Sequence, residues 1–168
     1  MTLARLSVVV AALMLSGCGK TETPPPASQG DSTKTAPSPA ATGGDEVTVK
    51  LGHAAPLTGG IAHLGKDNEN GARLAVEEAN AKGITIDGKK IKFELLAEDD
   101  QADAKIGTTV AQKLVDANVA GVVGHLNSGV SIPASAIYNQ AGIPVISGSA
   151  TNPKLTEQGL KVVFRVVG

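Results

Sequence analysis

The chain has 168 residues, 15 Lys and Arg against 16 Asp and Glu for a net charge of −1, and only 2% aromatic residues. Such a chain offers neither a basic face for tracking phosphates nor stacking platforms for bases, which argues against nucleic acid as a partner. The Ala, Val, Ile and Gly of its C-terminal two-thirds suit buried parallel strands with helices packed closely over them, so an α/β domain is expected.

Residues 1–17 have the layout of a secretory signal, with Arg5 ahead of an apolar stretch from Leu6 to Leu15 and small residues after it. The stretch is too short to span a bilayer. Its ending, "LSGC", resembles the bacterial lipobox, which implies that Cys18 becomes an acylated N-terminus. Cys18 is the single cysteine, so once it is acylated no thiol remains for a disulfide, a metal site or a nucleophile. Residues 18–45 are Pro, Ser, Thr, Ala and Gly with almost no large apolar side chain. They cannot bury enough surface to offset their ordering entropy and are predicted to be a disordered tether. Residues 46–168 remain as the folded domain.

Within that domain Val47–His53 reads as a first strand and Asp67–Ala81 as a helix, with Ala72, Ala75, Val76 and Ala79 on one stripe and a glycine stop at Gly83. An Asp87-Gly88 turn leads into a second strand at Lys90–Glu98. Asp99, Asp100 and Asp103 load charge onto the start of the next helix, whose stripe is Ile106, Val110, Leu114 and Ala117. "VAGVVG" is a third strand, Ser131–Ala141 a helix with Pro133 in its first turn, "GIPVIS" a fourth strand and "KVVFRVV" a fifth. Strict alternation with short connections predicts a parallel sheet with helices on both faces. Ligands of such sheets collect beyond the carboxyl ends of the strands, which selects the loops at 54–66, 99–103, 125–129 and 147–152.

Two of those loops carry hydroxyls. Ser128 stands where the third strand hands over to its helix, beside Gly129 and free N–H groups that suit a carboxylate, although a serine there also serves as an ordinary helix cap. "SGSAT" adds Ser147, Ser149 and Thr151 after the fourth strand. Together the loops could grip a zwitterion, with donors on its carboxylate and the Ser149 carbonyl and Thr151 accepting from its ammonium. The stretch "GIAHLGKD", Gly60–Asp67, matches the P-loop spacing until Asp67, where a Ser or Thr should meet magnesium; a lipid-anchored nucleotide-binding enzyme is the alternative it raises. Neither Ser128 nor Ser149 has the flanking glycines of a nucleophile elbow, and His53, His63 and His125 lack metal-ligand spacing and read as hydrogen-bonded loop histidines.

From "GHAAPLTGG" through "EDDQADAK" and "GVVGHLNSGVSIPASAIYNQAGIPVISGSATNPKLT" to "FRVVG", the chain resembles the N-terminal lobe of the branched-chain amino acid binding proteins of ABC transporters, the leucine/isoleucine/valine-binding family of type I periplasmic binding proteins. The resemblance implies a non-enzymatic solute-binding protein of the periplasm or cell envelope. Its partners would be a branched-chain or related amino acid and a membrane ABC permease, and no cofactor or metal is expected. It carries ligand contacts onto Ser128, Gly129, Ser149, Ala150 and Thr151, and onto Leu64, in a loop position where some members have an aromatic that helps close the pocket. Ala102 and Asn127 stand where some members have a cysteine pair. The second lobe of the family is missing from the sequence, so a truncated fragment that does not bind is a further expectation.

Overall fold

The computed structural model describes residues 46–167. The signal segment, Cys18 and the tether to residue 45 lie outside the described residues. Ten elements follow in order: β1 (Glu46–Ala55), α1 (Ala62–Lys82), β2 (Thr85–Ile86), β3 (Lys89–Asp99), α2 (Ala104–Asp116), β4 (Val122–Gly124), α3 (Ser128–Ala141), β5 (Val145–Ser147), α4 (Lys154–Glu157) and β6 (Val163–Arg165).

The sheet order is β2-β3-β1-β4-β5-β6. Every pairing is parallel except β2 with β3, where Thr85 lies opposite Lys90 and Ile86 opposite Lys89. The five strands expected from the sequence do pair in parallel, and the sheet is mixed only through β2, a short antiparallel edge strand that the sequence reading did not include. The reason is local. Asp87 and Gly88 both take positive φ, 50° and 77°, the pair of values that folds a two-residue hairpin onto the edge of β3.

Helices cover both faces, unequally. On one face Gly52 of β1 lies under α2, close enough that a Cβ would touch Leu114 and Val122 at 3.0–3.2 Å. That face holds the core: Val110, Ala111 and Leu114 of α2 and Ala134 and Tyr138 of α3 meet Ala54, Val122, Val145 and Val163. Few aromatics are needed because small residues bring the layers together. Gly107 of α2 sits against the Val130 side chain so closely that any Cβ would overlap it.

On the other face α1 covers only β1 and β3. The predicted stripe of Ala72, Ala75, Val76 and Ala79 does face the sheet, but across an apolar groove of about 550 Å³ floored by Leu51, Phe93 and Leu95. Beyond α1, Val123, Ile146 and Phe164 pair across β4, β5 and β6 and stay 42%, 43% and 50% exposed, so this half of the sheet is bare in the described residues.

Two helix boundaries differ from the sequence reading. Helix α1 begins at Ala62, a turn earlier than Asp67, because Gly65 has no side chain and can lie on the Pro56 carbonyl. Helix α3 begins at Ser128 rather than Ser131, which moves Pro133 from the first turn to the interior and denies the Gly129 carbonyl its usual N–H partner.

Candidate functional site

Strand β1 connects to β3 on one side and β4 lies on its other side, so the strand order reverses between β1 and β4. A crevice opens at such a switch point, beyond the carboxyl ends of the strands. Strand β1 is exposed along its first half and buried from Gly52 to Ala55, so its carboxyl end is the part anchored in the core. Around the crevice stand the loops after β1, β3, β4 and β5.

The three aspartates at and beyond the end of β3, expected to act together on one helix, have separate tasks. Asp103 alone caps α2, accepting from the N–H groups of Lys105 and Ile106 at 2.8 and 2.9 Å. Asp99 holds the loop after β1, accepting from the Leu57 N–H at 2.7 Å, the Thr58 hydroxyl at 2.5 Å and the Gln101 N–H at 2.9 Å. Burial alone would raise its pKa, but these donors outweigh burial and hold the carboxyl below its ordinary value. Asp100 is fully buried and meets His125 Nδ1 at 2.8 Å.

The loops after β4 and β5 are stitched together by hydroxyls. Ser147 donates to the His125 carbonyl at 2.9 Å, and its oxygen accepts from the Ala150 N–H at 3.0 Å. Ser149 donates to the Leu126 carbonyl at 3.1 Å, and Ser128 Oγ accepts from the Asn152 N–H at 3.2 Å. Arg165, at the end of β6, donates to the Thr151 carbonyl at 2.6 Å.

Ser128 is the first residue of α3 and not its cap; Asn127 occupies the cap position and makes no side-chain capping bond. The bland reading of Ser128 therefore does not describe its hydroxyl, whose oxygen is engaged by Asn152 while its proton has no acceptor among the described residues. The N–H groups of Ser128 and Gly129 likewise have no described partner, as expected at the start of a helix. A Cβ built on Gly129 would meet nothing within 4 Å, so the backbone there faces open space. On the neighbouring loop the Thr151 hydroxyl and the carbonyls of Ser149 and Ala150 are unused, whereas the Ala150 N–H is committed to Ser147. The arrangement sets unused donors on one loop beside unused acceptors on the next, the chemistry a zwitterion requires.

Other sequence candidates fall elsewhere. Leu64 lies in the first turn of α1 and not in a loop, 44% exposed near the crevice. The P-loop-like stretch cannot cradle a phosphate. The N–H groups of Ala62, Leu64 and Gly65 are bonded to the carbonyls of Gly59 and Ile61, and Gly65 and Lys66 are wound into the helix. A phosphate loop needs those donors free ahead of the helix. The histidines also divide. His63 is exposed on α1, His125 is hydrogen bonded, and His53 lies within β1, 1% exposed, with neither ring nitrogen partnered. Reading all three as hydrogen-bonded loop histidines therefore fails for His53, and for His63, which lies on a helix and makes no side-chain hydrogen bond among the described residues. Among the described residues no three metal-binding side chains gather.

Sequence reasoning missed Asp99 as a loop clamp, Arg165 beside Thr151, and the pairing of Asp100 with His125. Only the motif "EDD" hinted at the first and last, and nothing in it separates a capping carboxylate from one that points across the sheet.

The pattern of a periplasmic binding protein family matches residues 48–166. The chain belongs to this family. The Leu/Ile/Val-binding protein homolog 2 of Brucella abortus is 46% identical over 117 residues, which make up 70% of this chain and 31% of that protein. The branched-chain amino acid transporter substrate-binding protein LivJ of Streptococcus pneumoniae, solved with isoleucine, superposes with a TM-score of 0.64 at 38% identity over 71% of this chain and 33% of its own. An ABC transporter substrate-binding protein of Desulfitobacterium hafniense, solved with Leu, has a TM-score of 0.61 at 38% identity, covering 71% and 34%. The chain thus spans about a third of the length of these periplasmic binding proteins. The match places the whole described unit, the crevice loops included, within the α/β lobe of this family, which is one of solute-binding proteins and not of enzymes.

Proposed function

We propose that this chain captures branched-chain or related amino acids outside the cytoplasm for an ABC importer, and that it does so without catalysis. The observation that carries this reading is the pair of adjacent loops with complementary unused groups. The Ser128 and Gly129 N–H groups and the Ser128 hydroxyl face a carboxylate, and the Ser149 and Ala150 carbonyls with Thr151 Oγ1 face an ammonium. Leu64 borders the crevice where an apolar side chain would lie. The relatives solved with isoleucine and with Leu support the choice of ligand class.

The described lobe contacts a ligand from one side. A two-sided grip of micromolar strength is worth about −8 kcal/mol, and half of that gives a dissociation constant near ~1 mM. Titration of the chain with L-leucine, L-isoleucine and L-valine, followed by NMR shifts at Gly129 and Thr151, is expected to saturate in that range, with magnesium-ATP as the control. Shifts produced by magnesium-ATP at these amides and none by the amino acids would overturn the reading. The anchor belongs to the same reading and is carried by the "LSGC" sequence. Labelled palmitate should enter the wild-type protein in a bacterial envelope and should not enter Cys18→Ser; equal labelling would remove the anchor.

A further inference from the structure

His125 has no place in the ligand grip described above, yet more of the site hangs on it than on any group that has one. It directly follows β4, is 1% exposed, and is held on both ring nitrogens: Nδ1 lies 2.8 Å from Asp100 Oδ2 and Nε2 lies 3.1 Å from the Tyr138 hydroxyl. Asp100 and Tyr138 are themselves fully buried. Asp100 is fixed by the Ala102 N–H at 3.0 Å, and Tyr138 by the α3 core. The main chain of the same residue is the root of both loops. Its carbonyl accepts from Ser131 in the second turn of α3 at 3.0 Å and from Ser147 at the end of β5 at 2.9 Å. Ser147 in turn holds the Ala150 N–H, and the next residue, Leu126, holds Ser149 through its carbonyl.

We infer that His125, locked between Asp100 and Tyr138, is the positioning residue that sets the spacing between the Ser128 loop and the Ser149–Thr151 loop; the inference rests on the function proposed above for those loops. With both ring nitrogens held, the His125 side chain restrains the backbone it is attached to, and the carbonyl of that backbone is shared by Ser131 of α3 and Ser147 of β5. Burial, and after it the charge of Asp100, raises the Tyr138 pKa, so its hydroxyl keeps its proton. Donation of that proton to Nε2 leaves Nδ1 as the N–H that Asp100 accepts, so the three side chains select one tautomer.

The chemistry gives two substitutions with opposite outcomes. Asp100→Asn keeps the shape and can turn its amide N–H toward Nδ1, which forces the ring into the Nε2–H tautomer while both links survive. Asp100→Ala removes the link. In NMR of the full chain, nitrogen shifts of the His125 ring should show Nδ1–H in the wild type and Nε2–H in Asp100→Asn. Amide exchange at Ala150 and Ser131 should stay within about threefold of wild type in Asp100→Asn and rise at least about tenfold in Asp100→Ala, with Leu114 in the core unchanged. Should Asp100→Ala not fold, Tyr138→Phe keeps the ring volume and is expected to raise exchange at the same two amides. A uniform rise that includes Leu114 would make the network a support of the whole core and overturn the proposal; unchanged exchange at Ala150 and Ser131 would do the same. L-leucine titrated in parallel should bind Asp100→Asn within about twofold of wild type and Asp100→Ala at least about fivefold more weakly. Failure of leucine to bind even the wild type counts against the proposed function, while the exchange pattern still decides the role of His125.

Discussion

His53 should make the domain lose stability in mild acid. The side chain is 1% exposed, inside β1, and neither ring nitrogen has a hydrogen-bond partner at good geometry, although the Val123 backbone lies close enough to favour a proton there. Burial lowers its pKa below the ordinary 6.5, outweighing the Val123 backbone and the Glu69 carboxylate, which favour the cation; His125 and Arg73 add to the lowering. In the unfolded chain the ring takes up a proton as pH falls through 6.5, whereas the folded protein still excludes it. The unfolded state then binds more protons, so stability is complete above 6.5 and declines below it until the folded-state pKa is reached. A ring that stays neutral when folded costs up to about 1.4 kcal/mol between about pH 7.5 and about pH 5.5. His53→Leu, close to it in volume, removes the proton and also the unpartnered polar atoms, each of which costs about 1–3 kcal/mol when buried. Urea denaturation across this pH range should therefore show a variant at least as stable as wild type near neutrality, with the acid slope reduced by one proton. A variant that keeps the full wild-type slope would refute the reasoning.

Three further outcomes are expected. Ser128→Ala should weaken leucine binding by about 1.5–3 kcal/mol, the worth of a hydrogen bond to a charged group, while stability changes little because the Asn152 N–H it frees is exposed and water can take it; an affinity equal to wild type in calorimetry would leave Ser128 with only its link to Asn152. Gly65→Ala drives a Cβ into the Pro56 carbonyl, and because backbone must shift it should lower the unfolding free energy by about 1–3 kcal/mol, read as a lower urea midpoint, with an unchanged midpoint contradicting the early start of α1. Asp99→Asn keeps the oxygen that serves Leu57 and Gln101 but gives Thr58 a donor instead of an acceptor, at a cost of about 1 kcal/mol for this part-exposed site. The Asp99 contribution is present above 3.8 and lost as pH falls through its lower folded value, so wild type and variant should converge in acid; a gap that persists there would show that the charge is not what holds the loop.

Much of this lobe could be read before any coordinates. Periodicity places every helix but the four-residue α4 and every strand but the two-residue β2, each too short to carry a pattern. Glycine marked the end of α1 correctly because Gly83 takes the left-handed conformation that few other residues adopt cheaply. The starts of α1 and α3 lie earlier than periodicity places them. Helix α1 begins where Gly65 lies on the Pro56 carbonyl, and α3 begins where the Asn127 carbonyl accepts from Val130 and Ser131, and local propensity contains neither contact.

The site divides in the same way. Sequence alone determined that hydroxyls, glycines and free backbone groups would gather after the third and fourth of its expected strands, because alternating strands and helices leave their loops at one edge of the sheet. It also determined which residue types stand there. Only the tertiary structure decided how each is used: that Ser149 and Ser147 hold loops together, that Ser128 keeps a free proton, that Asp99, Asp100 and Asp103 part company, and that His125 is the hub where two loops meet. Hydrogen bonds between residues more than twenty positions apart depend on which strands are neighbours, and adjacency in the sheet is a property of the whole fold.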